Sequence, residues 1–317
     1  MASPTRCGIC SGPLALRHPG REAAPDAAAF APSCHATGGH GDLYDCTRCG
    51  TVQQPGLPAG PALRDLYRDM RDDAYLDEEA GRRATARRLL DAVERHAPRG
   101  RLLEVGCGHG LLLDEARSRG WQVTGLEIAT ASREHARDRL GLDVRAATLE
   151  DLEPVADGGL QAIVLADVLE HLDDPVGALE LCARLLASGG VACLVTPDPG
   201  SRTARLAGAR WWAYLPSHTY LVPRATLRGL LREHGLDTLE ETGLRRTFSL
   251  GYWVAGLGER SGRVGRAVAA LRRLPVARRP VTLSLGDERI VVARRGAAVR
   301  ATGRAWDRGA AAASARP

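Results

Sequence analysis

No lysine occurs among the 43 basic residues of this 317-residue chain; every one is arginine. With so much Ala, Gly and Pro, this reflects the codon bias of a GC-rich genome, and it carries no functional weight. No run of eighteen apolar residues occurs, which excludes a transmembrane helix from the sequence pattern. The N-terminus has polar residues and Cys7 where a signal peptide needs an apolar stretch, so a cytoplasmic location is expected. There is no internal repeat.

What is present is enough apolar residue, 44%, to build a well-buried core, and a length that fits one large domain with a smaller one. The first 60 residues are loop-like, rich in Gly, Pro and Cys, and cannot bury a core without help. Residues 61–98 read as a charged helical lead-in, with Leu63, Leu66, Tyr67 and Met70 at helical spacing. The main domain is expected over 99–296, with an insertion near 198–224 and a disordered tail over 303–317. Thirteen arginines between 261 and 317 face only Asp287, Glu288 and Asp307. That basic end reads as a solvated tail or as a surface for phosphate.

After Pro98 and Gly100, short apolar runs alternate with amphipathic stretches. Strands are expected at Leu102 to Val105, Gln122 to Glu127, Asp143 to Ala146, Leu160 to Ala166 and Val191 to Thr196. Helices near 111–119, 131–140 and 176–186 fill the gaps, the last opened by an Asp174 cap and Pro175. A helix near 225–234 and strands near 237–244 and 289–293 follow. The alternation indicates an α/β fold, a doubly wound, mostly parallel seven-stranded sheet with helices on both faces.

The first of these strands runs through Glu104 into Gly106, Gly108 and Gly110, a tight turn at the sheet edge where open α/β folds bind ligands. A dinucleotide fingerprint would place its third glycine one position later, so the spacing disfavours NAD. Glu127 ends the second strand, where a carboxylate accepts hydrogen bonds from both ribose hydroxyls of an adenosine. Sugar recognition without phosphate recognition suits S-adenosylmethionine; the alternative is an ordinary strand-to-helix turn beside a solvated strand end.

Leu103-Glu-Val-Gly-Cys-Gly-His-Gly110, Gly125-Leu-Glu127 and Ala162-Ile-Val-Leu-Ala-Asp-Val-Leu-Glu-His-Leu172 with Asp-Asp-Pro175 resemble successive motifs of the class I methyltransferases. Ser188-Gly-Gly-Val-Ala-Cys-Leu-Val-Thr-Pro197 is similar to their fifth strand, and Arg210-Trp-Trp212 and Pro216-Ser-His218 to the segment after it. The resemblance spans about residues 61–296. It implies a Rossmann-like enzyme in which Glu104 orients the methionine amino group and Gly106, Gly108 and Gly110 lie against the cofactor. It also implies that Glu127 and Ile128 hold the ribose, that Thr148 and Leu149 flank the adenine, and that Asp167 stands at the cofactor.

Methyl transfer from a sulfonium needs mainly an in-line nucleophile and exclusion of water. For a hydroxyl acceptor a base helps, and His171 and His218 are the candidates; each can equally bond a backbone carbonyl. Trp211, Trp212, Tyr214 and Tyr220 line an acceptor pocket or pack a core. Ala166-Asp-Val-Leu lacks the Asn/Asp-Pro-Pro-Tyr/Phe signature of many exocyclic amine methylases of nucleic acids. The leading expectation is therefore a small organic acceptor, with an RNA methyltransferase and a non-catalytic S-adenosylmethionine-binding protein as rivals. Oligomeric state is not legible.

Cys7-Gly-Ile-Cys10 and Cys46-Thr-Arg-Cys49 form two knuckles able to present four thiolates to one structural zinc. Cys34, His35 and His40 in the gap are substitute ligands. Such a ribbon followed by Leu66-Tyr-Arg-Asp-Met-Arg-Asp-Asp-Ala-Tyr75 resembles a bacterial group that includes nucleotide-sugar C-methyltransferases. Members of that group carry a further C-terminal domain, for which these 317 residues are expected to leave no room.

Overall fold

A computed structural model describes residues 6–20, 30–31, 39–72, 74–153, 159–258 and 274–296. The expected tail over 303–317 and the substitute ligands Cys34 and His35 lie outside these residues. The chain begins with three strands, β1 (Leu14–His18), β2 (Leu43–Cys46) and β3 (Val52–Gln53), then helices α1 (Pro61–Asp69) and α2 (Glu79–Glu94). The alternating region follows: β4 (Arg101–Val105), α3 (Leu111–Ser118), β5 (Gln122–Leu126), α4 (Thr130–Glu134), β6 (Val144–Arg145), β7 (Leu160–Ala166), α5 (Pro175–Leu185) and β8 (Leu186–Pro197). Then come α6 (Arg202–Ala207), β9 (Tyr220–Leu221), α7 (Arg224–Glu233), β10 (Leu236–Gly243), β11 (Arg246–Ser249), α8 (Leu250–Gly258), β12 (Pro280–Leu283) and β13 (Glu288–Arg295).

The central sheet has seven strands in the order β10-β13-β8-β7-β4-β5-β6, with β13 antiparallel to both its neighbours and β4 to β8 running parallel. Its inner strands β7 and β8 are largely apolar because both faces are covered, whereas the edge strand β10 is polar and partly exposed. In β7, Ile163 and Leu165 pack with Leu103, Leu194, Leu179 and Leu231 on the α5/α7 face. Ala162 and Val164 pack with Leu102, Val191, Leu90 and Leu113 on the α2/α3 face. Successive side chains point to opposite faces, so one apolar run supplies both cores. Asp174 caps α5 by accepting from the Gly177 N–H at 2.8 Å, with Pro175 opening the helix.

Three expectations need correction. The helix expected over 131–140 is regular only to Glu134 and continues as a wider π-turn over His135–Arg139. The first 60 residues are not simply loops: β1, β2 and β3 form a four-stranded antiparallel sheet whose last member is β9. Val52 and Gln53 pair with Leu221 and Tyr220, a partner too distant in sequence for any local pattern to reveal. The basic end is not wholly a tail either, since Arg289, Arg294 and Arg295 belong to β13 within the central sheet. The antiparallel pair β11 and β12, which escaped the sequence reading, packs against α2 through β11. Among the described residues no helix is long and apolar enough to cross a membrane.

Contact between α2 and β11 is close: a Cβ on Gly81 would sit 2.1 Å from the Thr247 carbonyl oxygen. Gly81→Ala is therefore expected to destabilise by about 1–3 kcal/mol. Gly229, in α7, has open space around it, and Gly229→Ala is expected to stabilise by about 0.5–1 kcal/mol. Urea denaturation of the two variants measures both, and equal effects would contradict this packing.

Candidate active site

The carboxyl ends of β4, β5 and β7 open into one cavity of about 770 Å³. β4 places Glu104 in the core and delivers the chain into Gly106 and Gly108, both at positive φ, +64° and +52°. A Cβ on Gly106 would come within 2.9 Å of the Val168 side chain, so the turn requires glycine on two counts. Glu127, just past β5, accepts the Gly108 N–H at 2.8 Å through one oxygen and the Ala129 N–H at 2.7 Å through the other. Each oxygen keeps acceptor capacity for a hydroxyl. Burial nevertheless pushes the Glu127 carboxyl above its ordinary range.

Glu104 lies beneath the loop with Oε2 buried and without a hydrogen-bond partner. Burial first, then the nearby Glu127 charge, raises its pKa well above the ordinary carboxylate value. A buried acid without a partner costs free energy that a ligand cation would recover. The Glu127 carboxylate and the glycine turn fit an adenosine, whereas Glu104, expected at the cofactor, lies below the turn and does not itself line the cavity. Ile128, Thr148 and Leu149 line the same cavity. Thr148 also caps the short helix Leu149–Asp151 in a reciprocal box with Asp151. Gly110, expected at the cofactor, does not line the cavity: it opens α3 at φ +80°, and a Cβ there would strike Leu142 and Ala136.

At the other end of the cavity Asp167 takes a left-handed conformation, φ +57°, unusual for a residue other than glycine. Arg246 in β11 holds both its carboxylate oxygens at 2.7 Å and also binds Glu288 at 2.9 Å. Glu170 and His171 follow β7 on a short 3-10 turn. His171 Nδ1 lies 2.9 Å from the Ser217 carbonyl and 2.9 Å from Tyr67 Oη. His218 Nδ1 lies 2.8 Å from the Ala213 carbonyl. A ring nitrogen facing a carbonyl carries the proton, which leaves Nε2 of each ring as the lone-pair nitrogen. Burial lowers both pKa values, that of His218 strongly, so both rings are neutral at pH 7. The rings meet edge to face at 4.6 Å.

The aromatic segment divides. Trp212 and His218 line the cavity, whereas Trp211 and Tyr214 pack with Leu43, Val52 and Leu221 against the N-terminal sheet. Both indoles donate to Asp287 Oδ2 at 2.7 Å. Tyr67, Tyr75, Arg246 and Phe248 also line the cavity, and the sequence reading missed them. Tyr67 sat at apolar helical spacing, a signal for packing as much as for a site; the others meet the cavity only through tertiary folding.

The four knuckle cysteines converge. Cys7 and Cys49 sulfurs are 3.8 Å apart, Cys10 and Cys46 3.3 Å, and all four lie within 4.8 Å of one another. These separations are far beyond a disulfide bond of about 2.0 Å. They are close to the roughly 3.8 Å edges of a tetrahedron with about 2.3 Å zinc–sulfur bonds. His40 instead bonds the Gly41 carbonyl.

A mostly parallel seven-stranded sheet with a glycine turn after its first strand and a buried acid at the end of the next is the architecture of a class I methyltransferase. The chain belongs to the methyltransferase-domain family, whose pattern matches residues 77–241, and it is an S-adenosylmethionine-dependent enzyme. It is 31% identical over 184 residues to the ubiquinone biosynthesis O-methyltransferase of Cereibacter sphaeroides, covering 54% of this chain and 73% of that protein. It is also 31% identical over 180 residues to the protein of that name from Chromobacterium violaceum, covering 51% and 78%. A solved S-adenosylmethionine-dependent methyltransferase from Archaeoglobus fulgidus is 19% identical, covers 70% of this chain and 100% of that one, and superposes with a TM-score of 0.49.

Acting through the glycine turn on a cofactor ammonium, Glu104 with its raised pKa would make cofactor binding pH-dependent. A cation prefers the ionised acid, so binding expels the proton wherever free Glu104 is protonated, and affinity falls as pH falls. Calorimetry with S-adenosylhomocysteine is expected to show affinity rising with pH by up to about tenfold per unit in that range. Glu104→Gln should flatten the profile. Arg246→Met strands Asp167 and Glu288 beside Glu170 and is expected to cost about 3 kcal/mol in urea denaturation at pH 7.

Proposed function

We propose that this enzyme transfers the methyl group of S-adenosylmethionine to a hydroxyl oxygen of a small, largely apolar organic acceptor. One observation carries the reading: a single cavity joins the Gly108–Glu127 end to the His171–His218 end. The cofactor would lie along the first with its sulfonium facing the second. Glu127 and Ile128 would take the ribose, Glu104 the amino group through the glycine loop, and Thr148 and Leu149 the adenine. Asp167, held by Arg246, would border the methionine end.

Trp212, Phe248, Trp253 and Leu285 line the cavity as well, an apolar surface that suits a small organic molecule better than a nucleotide sugar or an RNA strand. The relatives from Cereibacter and Chromobacterium are O-methyltransferases by name, which supports oxygen as the methylated atom. The chain would contribute orientation and exclusion of water, with an imidazole lone pair facing the acceptor hydroxyl.

Cys7, Cys10, Cys46 and Cys49 would hold a structural zinc. The strand leaving them reaches the acceptor loop: Gln54 Nε2 donates to the Leu215 carbonyl at 3.2 Å, its N–H to the Thr219 carbonyl at 3.0 Å, and Thr226 Oγ1 to the Cys49 carbonyl at 2.5 Å. The metal would thereby fix the loop that carries His218.

The test is methyl transfer from labelled S-adenosylmethionine to a panel of phenols, catechols and sugars. Phenolic turnover is expected, and Glu127→Ala should weaken the cofactor by about 3 kcal/mol, roughly a hundredfold. Turnover of sugars alone would overturn the acceptor class. Cys46→Ser should abolish zinc binding and lower acceptor turnover while S-adenosylhomocysteine still binds. Full activity of a zinc-free Cys46→Ser protein would refute the structural role of the metal.

A further inference from the structure

Asp287 is completely buried, and neither the cofactor nor the acceptor chemistry uses it. It sits in the turn between β12 and β13, just ahead of Glu288. Its Oδ2 accepts the indole N–H of both Trp211 and Trp212 at 2.7 Å, while Oδ1 has no hydrogen-bond partner. The two rings are neighbours in sequence but stand at 67° to each other and serve different surroundings. Trp211 is buried with Tyr214, Leu43, Val52 and Leu221, whereas Trp212 lines the cavity on the loop that carries His218. One oxygen therefore ties a cavity wall to a packed core.

The turn that supplies this oxygen is itself anchored. The Asp287 carbonyl accepts the Asp198 N–H at 2.7 Å, Thr203 Oγ1 donates to the Leu285 carbonyl, and Glu288 binds Arg246. Ser284 and Leu285 of the same turn line the cavity beside Trp212. A half-buried indole has several staggered orientations about its side-chain bonds. Holding the N–H, at the edge of the ring remote from the backbone, selects one of them and leaves the apolar face as a fixed surface.

We propose that Asp287 is a positioning residue that sets specificity: by holding the Trp212 indole against the cavity it fixes the width of the acceptor pocket, and with it the size of the acceptor admitted. The inference deepens the methyl-transfer reading and rests on it for what enters the pocket; the hold on Trp212 itself is independent of that reading. Asp287 touches neither cofactor nor acceptor and acts through Trp212 alone. Its loss widens the pocket, so the variant should gain on a larger acceptor relative to a smaller one.

The test uses the full-length, zinc-replete protein with a matched pair of acceptors, catechol and 2,3-dihydroxynaphthalene, which differ by one ring. In Asp287→Ala the ratio of kcat/KM for the naphthalene diol to that for catechol is expected to rise by about tenfold or more, chiefly through KM. Asp287→Asn keeps a carbonyl oxygen for the two indoles and should restore the parent ratio, whereas Trp212→Phe, which keeps a ring and loses the held N–H, should shift it as Asp287→Ala does. Binding of S-adenosylhomocysteine shows which variants are folded, and Trp212→Phe decides if Asp287→Ala is not. A second readout needs no acceptor: the Trp212 emission, taken as the difference between each protein and its Trp212→Phe counterpart, should move to longer wavelength and become quenchable by acrylamide in Asp287→Ala. Unchanged Trp212 emission in folded Asp287→Ala, or a ratio within about twofold of the parent in every folded variant, overturns the proposal. If neither diol is methylated while S-adenosylhomocysteine binds, the hydroxyl-acceptor reading and the size limit fall together, and the emission still decides whether Asp287 holds Trp212.

Discussion

Buried negative charge at one edge of the sheet is the constraint around which the rest of this molecule is arranged. Glu104, Glu127, Glu170 and Glu288 are all at most 9% exposed; the last three line one cavity with Asp167, and Glu104 lies beneath its glycine turn. Carboxylates out of water repel one another and lose solvation, so their pKa values rise. The chain meets the cost in two ways: backbone N–H groups serve Glu127 and Arg246 serves Asp167 and Glu288, while Oε2 of Glu104 and of Glu170 is left without a hydrogen-bond partner.

This arrangement explains the antiparallel pair β11 and β12, a two-stranded sheet separate from the central one. Its first residue is Arg246, so β11 must be held where the guanidinium reaches two carboxylates. Gly81 gives it that position by letting α2 approach the Thr247 backbone. A packing detail on the outer surface of α2 thereby sets the electrostatics of the cavity.

The N-terminal sheet has a comparable role on the acceptor side. β3 pairs with β9, Gln54 bonds the loop ahead of it, and Trp211 and Tyr214 seal the contact. His218 sits in that loop. The sheet that carries the four cysteines therefore packs against a wall of the cavity, and it is continuous in structure with the 198–224 segment that sequence boundaries separate from it.

The sequence by itself determined the alternating sheet, because uninterrupted apolar runs such as Leu160 to Ala166 are stable only when covered on both faces. It also determined the glycine turn and its acidic partner, since a positive φ and a carboxylate at a strand end are properties of single residues at fixed spacing. The four cysteines were legible for the same reason: each pair is local. Tertiary structure alone decided that Gly110 turns into the core, that Trp211 and Tyr214 serve packing while Trp212 serves the cavity, and that Arg246 reaches Asp167. It alone brought His218 to Glu170 and His171, across the intervening α5, β8 and α6. Those outcomes depend on which distant segments pack together, and long-range pairings such as β3 with β9 leave no trace in local periodicity.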